Sequence, residues 1–227
     1  MYKVKEYPRG GVANKIIENK AEMHLPCVVL LDTSSSMRHV QEQLKEGLNT
    51  LVSSLNSDAK GKVEFSVIAF DDKARIIEPF GPAYDFETPN IDCEGMTAMH
   101  GAVDLSLSEI EARKTQYKEK GVPYYRPWIF LLSDGEPTDG DNGAFERLIE
   151  SQKGKHCIFY PVAIGEEANT DLLKSLNKDG LVLKASKENF IGAFEWLINS
   201  LSRSSNSIKG QTIELDDPGN YQLSVEV

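Results

Sequence analysis

Three short segments of the chain carry oxygen side chains that could hold a metal ion. Asp32 opens the first segment, and Ser34 and Ser36 follow it at alternate positions. Thr97 lies in the second segment and Asp134 in the third. Alternate residues of an extended loop point the same way, so Asp32, Ser34 and Ser36 can face one point. Because the set consists of carboxylates and hydroxyls, it favours Mg²⁺, Mn²⁺ or Ca²⁺ over zinc or copper.

Each segment has a simpler interpretation when it is taken alone. Ser and Thr are common N-caps of helices, and Asp134 followed by Gly135 is typical of a tight turn. Together, however, the three segments adjoin predicted strands and helices where an α/β sheet holds its ligands. An ion held by neutral hydroxyls keeps most of its charge and can exchange a water for a carboxylate. The combination therefore predicts a metal-dependent binding site.

The spacing of apolar residues predicts the elements that position these segments. Short apolar runs alternate with stretches in which apolar residues recur every three or four positions, as in amphipathic helices. This alternation predicts a doubly wound, Rossmann-like α/β fold, with a mostly parallel sheet and helices on both faces. The predicted strands are 25–31, 63–70, 74–80, 126–135, 157–165 and 181–185, and the predicted helices are 40–55, 98–112, 143–152, 170–177 and 188–201.

The termini predict a small β appendage outside this domain. Residues 1–24 form an N-terminal extension whose first residues alternate between polar and apolar types. The α/β domain is expected to span 25–201, followed by a linker at 202–210. Two alternating runs around Asp-Pro-Gly-Asn then predict a hairpin at 212–227.

Composition excludes several classes of function. The chain has 227 residues and a formal net charge of −10, which disfavours nucleic acid and anionic membranes as partners. No apolar stretch is long enough for a transmembrane helix, and no signal peptide is recognisable, so a cytoplasmic location is expected. Cys27, Cys93 and Cys157 form neither a disulfide framework nor a zinc motif.

Further acidic residues flank the predicted site. Asp71 and Asp72 lie between two predicted strands and are expected to form a solvated hairpin turn. Glu136 and Asp139 follow Asp134 closely, and we expect them at the rim of the metal site.

The metal-site pattern resembles the von Willebrand factor type A domain. Asp32-x-Ser34-x-Ser36, Thr97 in a Gly-x-Thr loop, and Asp134 in a Ser-Asp-Gly turn carry the resemblance. In that family these positions form the metal-ion-dependent adhesion site. The resemblance implies that Ser34, Ser36 and Thr97 ligate the metal directly. It implies that Asp32 and Asp134 support the metal, partly through water.

The resemblance covers residues 25–200, and two runs within it are similar to a narrower group of proteins. The runs 28–37 and 133–139 are similar to TerY-type bacterial proteins of tellurium-resistance and stress-response systems. Those proteins are associated with a protein kinase-like partner and a PP2C-type phosphatase, so the resemblance implies such partners here. Ser35 departs from the family, which usually has Gly there, but it is not a ligand position.

Three functional hypotheses follow. The first is a non-enzymatic protein-binding module in which an Asp or Glu of a partner completes the coordination of Mg²⁺, with Mn²⁺ or Ca²⁺ as alternatives. The second is a metal-dependent phosphohydrolase of the haloacid dehalogenase type, which needs a second acid where Ser34 stands. The third is a degenerate A domain that binds partners without metal.

Overall fold

The computed structural model describes residues 22–58, 62–82, 86, 90–186, 190–208, 210–215 and 223–226. Most of the predicted N-terminal extension, and the turn of the predicted C-terminal hairpin, lie outside these residues. The strands are β1 (Leu25–Asp32), β2 (Val63–Phe70), β3 (Ala74–Pro82), β4 (Trp128–Ser133), β5 (Ile158–Ile164), β6 (Leu183–Ala185), β7 (Thr212–Leu215) and β8 (Leu223–Glu226). The helices are a 3-10 helix (Ser35–Val40), α1 (Gln41–Asp58), α2 (Met99–Lys120), α3 (Ala144–Lys153), α4 (Thr170–Ser175) and α5 (Phe190–Ser205).

A six-stranded sheet organises the fold, in the order β3-β2-β1-β4-β5-β6. Only β3 runs antiparallel to its neighbour within this sheet. Side chains of β1 alternate between two apolar clusters, one shared with α1 and α5 and the other with α2, α3 and α4. Helices therefore cover both faces, and the predicted α/β fold class is confirmed.

The carboxyl ends of the central strands meet at one edge of the sheet. Asp32 pairs in register with Phe70 of β2, while Leu31 pairs with Leu132 of β4. Asp32 is therefore the neighbour of Ser133, the last residue of β4. The chain order reverses between β1 and β4, which is the switch point where open α/β sheets bind ligands.

Two helices are longer than the hydropathy pattern predicted. Helix α2 extends past residue 112 to Lys120 because its last turns bury Arg113 and Tyr117. Helix α5 reaches Ser205, so the first part of the segment predicted as a linker is helical, with Ser204 and Ser205 buried.

The C-terminal strands β7 and β8 pair antiparallel as a separate two-stranded sheet. Leu215 of β7 is buried in the same apolar cluster as α5, which attaches this small sheet to the domain. The domain boundaries themselves stay a prediction.

Among the described residues, none of the helices combines the length and apolar character needed to span a bilayer.

Candidate metal centre

Asp32 is fully buried at the end of β1, and hydrogen bonds hold both of its carboxylate oxygens. Its Oδ1 accepts the backbone N–H of Ser34 at 2.9 Å, and its Oδ2 accepts the hydroxyl of Ser133 at 2.6 Å. Burial raises the pKa of Asp32 to about 6, although hydrogen bonds from Ser133 and Ser34 oppose the rise. The nearby charge of Asp134 adds to it. The carboxylate is thus fixed in orientation and costly to keep charged without a cation.

Ser34 and Ser36 present their hydroxyls together, although Ser36 lies in a 3-10 helix and not in the predicted extended loop. Their Oγ atoms lie 3.0 Å apart. Ser34 has an extended backbone, and a 3-10 helix begins at the next residue. Ser34 is buried while Ser36 is exposed, so the pair lies at the boundary between the protein and solvent.

Ser35 joins the first loop to the loop that carries Thr97. Both its backbone N–H and its hydroxyl donate to the carbonyl of Gly95, at 3.1 and 2.9 Å. Glu94 N–H donates in turn to the carbonyl of Thr33 at 2.8 Å. Gly95 has a φ of +77°, a conformation that favours glycine. The residue that departs from the expected Gly therefore has a structural contact of its own.

Thr97 links the second loop to the third. Its N–H donates to the Thr138 hydroxyl at 2.8 Å, and its carbonyl accepts the Thr138 N–H at 2.9 Å. The Thr97 side chain does not cap α2, since Ala98 occupies the N-cap position. Thr97 is itself buried.

Asp134 supplies the observation that tests whether a cation fits here. Its Oδ1 is buried and has no hydrogen-bond partner in the described part of the chain. A buried carboxylate oxygen without a donor is costly unless a cation satisfies it. Gly135, at a φ of +83°, forms the turn directly after it and donates its N–H to Ser133 Oγ at 2.9 Å. The residues present therefore fit a hard divalent cation.

Hydroxyls are necessary to any metal site at this edge. Among the described residues, no group of three or more His, Cys, Asp or Glu is arranged to hold a metal ion. Hydrogen bonds join the three loops that carry or adjoin the predicted ligands, which are Asp32, Ser34, Ser36, Thr97 and Asp134. Ligation by these residues stays a prediction.

Two of the flanking acidic residues make hydrogen bonds that the sequence did not predict. Asp72 is exposed, as a solvated turn requires, but its Oδ1 accepts the N–H of Met96 at 2.9 Å. Asp139 accepts the N–H groups of His100 and Gly101, at 3.2 and 2.8 Å. It thereby satisfies the first turn of α2 and is not simply a residue at the rim.

Sequence reasoning missed two hydroxyls that organise the site. Ser133 bridges Asp32 and the turn at Gly135, and Thr138 joins the third loop to Thr97. Both belong to the run 133–139, whose density of turn-forming and hydroxyl residues was the available signal. Glu136 is exposed, and no contact of the described residues assigns it a role.

Residues 27–195 match the model of the von Willebrand factor type A domain. An uncharacterized protein of Synechocystis sp. is 28% identical over 174 residues. That alignment covers 74% of this chain but only 39% of the relative, so the chain spans well under half the length of that protein.

Solved structures show the same fold at low sequence identity. The pilus adhesin SpaC of Lactobacillus rhamnosus GG has a TM-score of 0.64 at 12% identity, with 80% of this chain and 30% of the adhesin covered. A von Willebrand factor type A protein of Catenulispora acidiphila has a TM-score of 0.59 at 17% identity, with 81% of this chain and 43% of that protein covered. Proximal thread matrix protein 1 of the mussel byssus, solved with zinc in its metal-ion-dependent adhesion-site motif, has a TM-score of 0.56 at 16% identity. The match covers 80% of this chain and 48% of that protein.

Proposed function

The chain belongs to the von Willebrand factor type A domain family, and we propose that it is a non-enzymatic protein-binding module that depends on a divalent cation. Domains of this family are generally interaction modules, and many depend on a metal. We propose Mg²⁺ as the ion, with Mn²⁺ or Ca²⁺ as alternatives. The single observation that carries the proposal is the buried, unpartnered Oδ1 of Asp134 beside the Asp32 carboxylate.

The roles we assign to the side chains follow from their contacts. Ser34, Ser36 and Thr97 would hold the ion through their hydroxyls, since the first two lie 3.0 Å apart and backbone hydrogen bonds join Thr97 to the third loop. Asp32 orients the first loop through Ser34 N–H and adds negative charge. Asp134 provides a second carboxylate near Asp32, at the same edge of the sheet. The bound ion supplies a Lewis acid to which a partner's Asp or Glu can bind.

The contacts of Asp32 disfavour the phosphohydrolase alternative. A nucleophilic carboxylate needs an accessible oxygen, but Asp32 is fully buried and both of its oxygens accept hydrogen bonds. The position two residues later, where an acid–base group would be needed, is Ser34. The same unsatisfied oxygen of Asp134 disfavours a degenerate domain that binds partners without metal.

The proposal also specifies a class of protein partner and the cellular system in which the chain acts. We propose that the partner is a protein, in the form of a protein kinase or a PP2C-type phosphatase of a bacterial stress-response or tellurium-resistance system in the cytoplasm. The sequence similarity of the runs 28–37 and 133–139 to TerY-type proteins supports this assignment. Nucleic acid and membranes are not proposed as partners, because the chain carries a net charge of −10.

Calorimetric titration of the metal-free chain with Mg²⁺ and Mn²⁺ tests the proposal. We expect saturable binding at one site, abolished in Ser34→Ala and in Asp134→Asn. Ser53→Ala is the matched control because Ser53 is exposed on α1, away from the three loops. Absence of binding by the wild type, with and without added acetate, would contradict metal dependence. Hydrolysis of p-nitrophenyl phosphate that is lost in Asp32→Asn would favour the hydrolase instead.

A further inference from the structure

Two adjoining clefts lie at the opposite edge of the sheet from the candidate metal centre. They surround the amino ends of β4 and β5, which begin at Trp128 and Ile158. Their volumes are about 350 and 460 Å³, and Arg126 and Lys155 line both. Because β1, β4 and β5 are parallel, this edge is remote from the loops that carry Asp32 and Asp134.

The clefts concentrate positive charge on an acidic protein. The smaller cleft adds Lys153 and Lys178 to the two shared cations, and its lining contains one acid, Asp179. Lys178 pairs with Asp179 at 2.5 Å, and Lys153 pairs with Glu150 at 2.9 Å. The larger cleft adds Lys114 and Lys118, and Lys114 pairs with the one acid of that lining, Glu111, at 2.7 Å. A local positive field on a chain of net charge −10 attracts anions selectively to this edge.

The smaller cleft also has an apolar and pre-formed lining. Ile158, Phe159 and Leu181 contribute apolar surface beneath the charged side chains. Its two amide side chains are already fixed, since Asn177 donates to Phe159 O at 2.5 Å and Gln152 donates to Leu176 O at 2.7 Å. An apolar lining with charged groups at its margin suits an organic anion better than a bare inorganic one.

Lys155 has an unusual backbone for its type. Its φ of +57° makes it the single non-glycine residue with a positive φ in the described part of the chain. The adjacent Gly154 has an ordinary φ of −73°, and a Cβ there would lie 2.8 Å from the His156 ring. A lysine in the left-handed region costs free energy that a glycine would avoid. This conformation belongs to the turn that ends α3, in which Lys155 N–H donates to Gln152 O at 3.0 Å and His156 N–H donates to Ser151 O at 2.8 Å. The turn places Lys155 in the lining of both clefts.

We propose that the paired clefts bind a small organic phosphate. Its organic part would lie against the apolar lining of the smaller cleft, and its phosphate groups would lie at the boundary marked by Arg126 and Lys155. Arginine presents a planar fork of donors that matches phosphate oxygens, and lysine adds a compact charge beside it. The volume of the smaller cleft is within the range of small-molecule sites. This site is independent of the metal centre and of the function proposed for it.

Titration of the full chain with ADP in the presence of a chelator tests this proposal without involving the metal centre. We expect saturable binding that weakens as salt is added, and much weaker binding of uncharged adenosine. Lys155→Gln and Lys155→Gly should each weaken ADP binding by about tenfold, since each removes one charge-assisted contact. Lys184→Gln is the control, because Lys184 is exposed on β6 outside both clefts.

Thermal unfolding of the same variants separates binding from folding. Lys155→Gly relieves the strained backbone, so it should unfold at the same or a higher temperature than the wild type while it loses affinity. Equal binding of ADP and adenosine would overturn the proposal. So would unchanged affinity in both Lys155 variants, or binding of a polyglutamate peptide where ADP does not bind.

Discussion

The Ser133 hydroxyl donates a 2.6 Å hydrogen bond to Asp32 Oδ2, which joins the carboxyl ends of β4 and β1. The same oxygen of Ser133 accepts the N–H of Gly135 at 2.9 Å. One buried hydroxyl therefore orients the carboxylate of the first loop and fixes the turn that follows Asp134. The relative positions of the two carboxylates of the candidate site depend on this contact.

Ser133→Ala should weaken both the fold and the metal centre. The substitution leaves Asp32 Oδ2 buried without a donor, which costs about 1–3 kcal/mol of unfolding free energy. It also raises the pKa of Asp32 further, since this hydrogen bond lowers it. Urea unfolding and Mn²⁺ titration at neutral pH measure the two effects. Ser106→Ala is the control, because Ser106 is buried and its hydroxyl donates within its own helix, to Val103 O. Equal losses in both variants would contradict a specific role for Ser133.

Asp72→Ala should loosen the loop that carries Thr97 without unfolding the protein. Asp72 accepts the Met96 N–H, and its carboxylate lies so close to Gly95 that a Cβ there would be 2.7 Å from Oδ1. We expect Mn²⁺ affinity to fall by about three- to tenfold, as for the loss of one positioning hydrogen bond. The thermal midpoint should change little, because Asp72 is exposed. Asp72→Asn keeps an acceptor but removes the charge, so affinity retained in this variant would assign the effect to positioning.

The fold and the ligand-bearing loops could be predicted from local pattern, whereas the contacts between loops could not. A buried strand such as β1 is an unbroken apolar run, and a loop with Asp32, Ser34 and Ser36 adjoins it directly. The bonds from Ser133 to Asp32 and from Asp72 to Met96 join residues distant in sequence. No periodicity encodes such pairings.

The length of α2 was underestimated for a related reason. Its last turns place a charged residue, Arg113, fully in the interior, where hydropathy predicts an exposed position. Arg113 is buried because Glu64 of β2 accepts hydrogen bonds from its guanidinium, one of them at 2.9 Å. A buried ion pair is not visible to a method that scores each residue separately.

Stability should fall at acidic pH because of Glu64. Burial alone would raise the pKa of Glu64, but the His24 hydrogen bond, the Arg113 charge and the Tyr117 hydroxyl together hold it below its usual value. A carboxyl whose pKa is lower in the folded state stabilises the protein at pH values above its ordinary pKa, which is about 4.5 for Glu. That contribution is lost as the pH falls from 4.5 through the folded value. Urea unfolding between pH 7 and pH 3 should show the decline.

Glu64→Gln provides the comparison for this prediction. The variant should be less stable than the wild type at pH 7 by about 3–5 kcal/mol, because Arg113 is left buried without its counter-charge. The difference between the two proteins should shrink as the pH falls below 4.5. A difference that stays constant across the range would show that Glu64 does not titrate with folding.

Limited proteolysis should locate the true end of the α/β domain. The segment 202–210 was predicted as a linker, but α5 continues to Ser205, and the Tyr125 hydroxyl donates to the carbonyl of Ser207. Trypsin needs a locally extended chain, so we expect slow cleavage after Arg203, which lies within α5. Cleavage after Lys209 should be faster, since Ile208 and Gly210 on either side of it are exposed.

Mass spectrometry of the early fragments distinguishes the two cleavage sites. Tyr125→Phe removes the donor to Ser207 and should accelerate cleavage after Lys209, because the segment beyond α5 loses its anchor to the domain. Tyr124→Phe is the control at the adjacent position. Equal early cleavage after Arg203 and Lys209 in the wild type would show that α5 frays before Ser205. The predicted linker would then begin where the sequence pattern placed it, at residue 202.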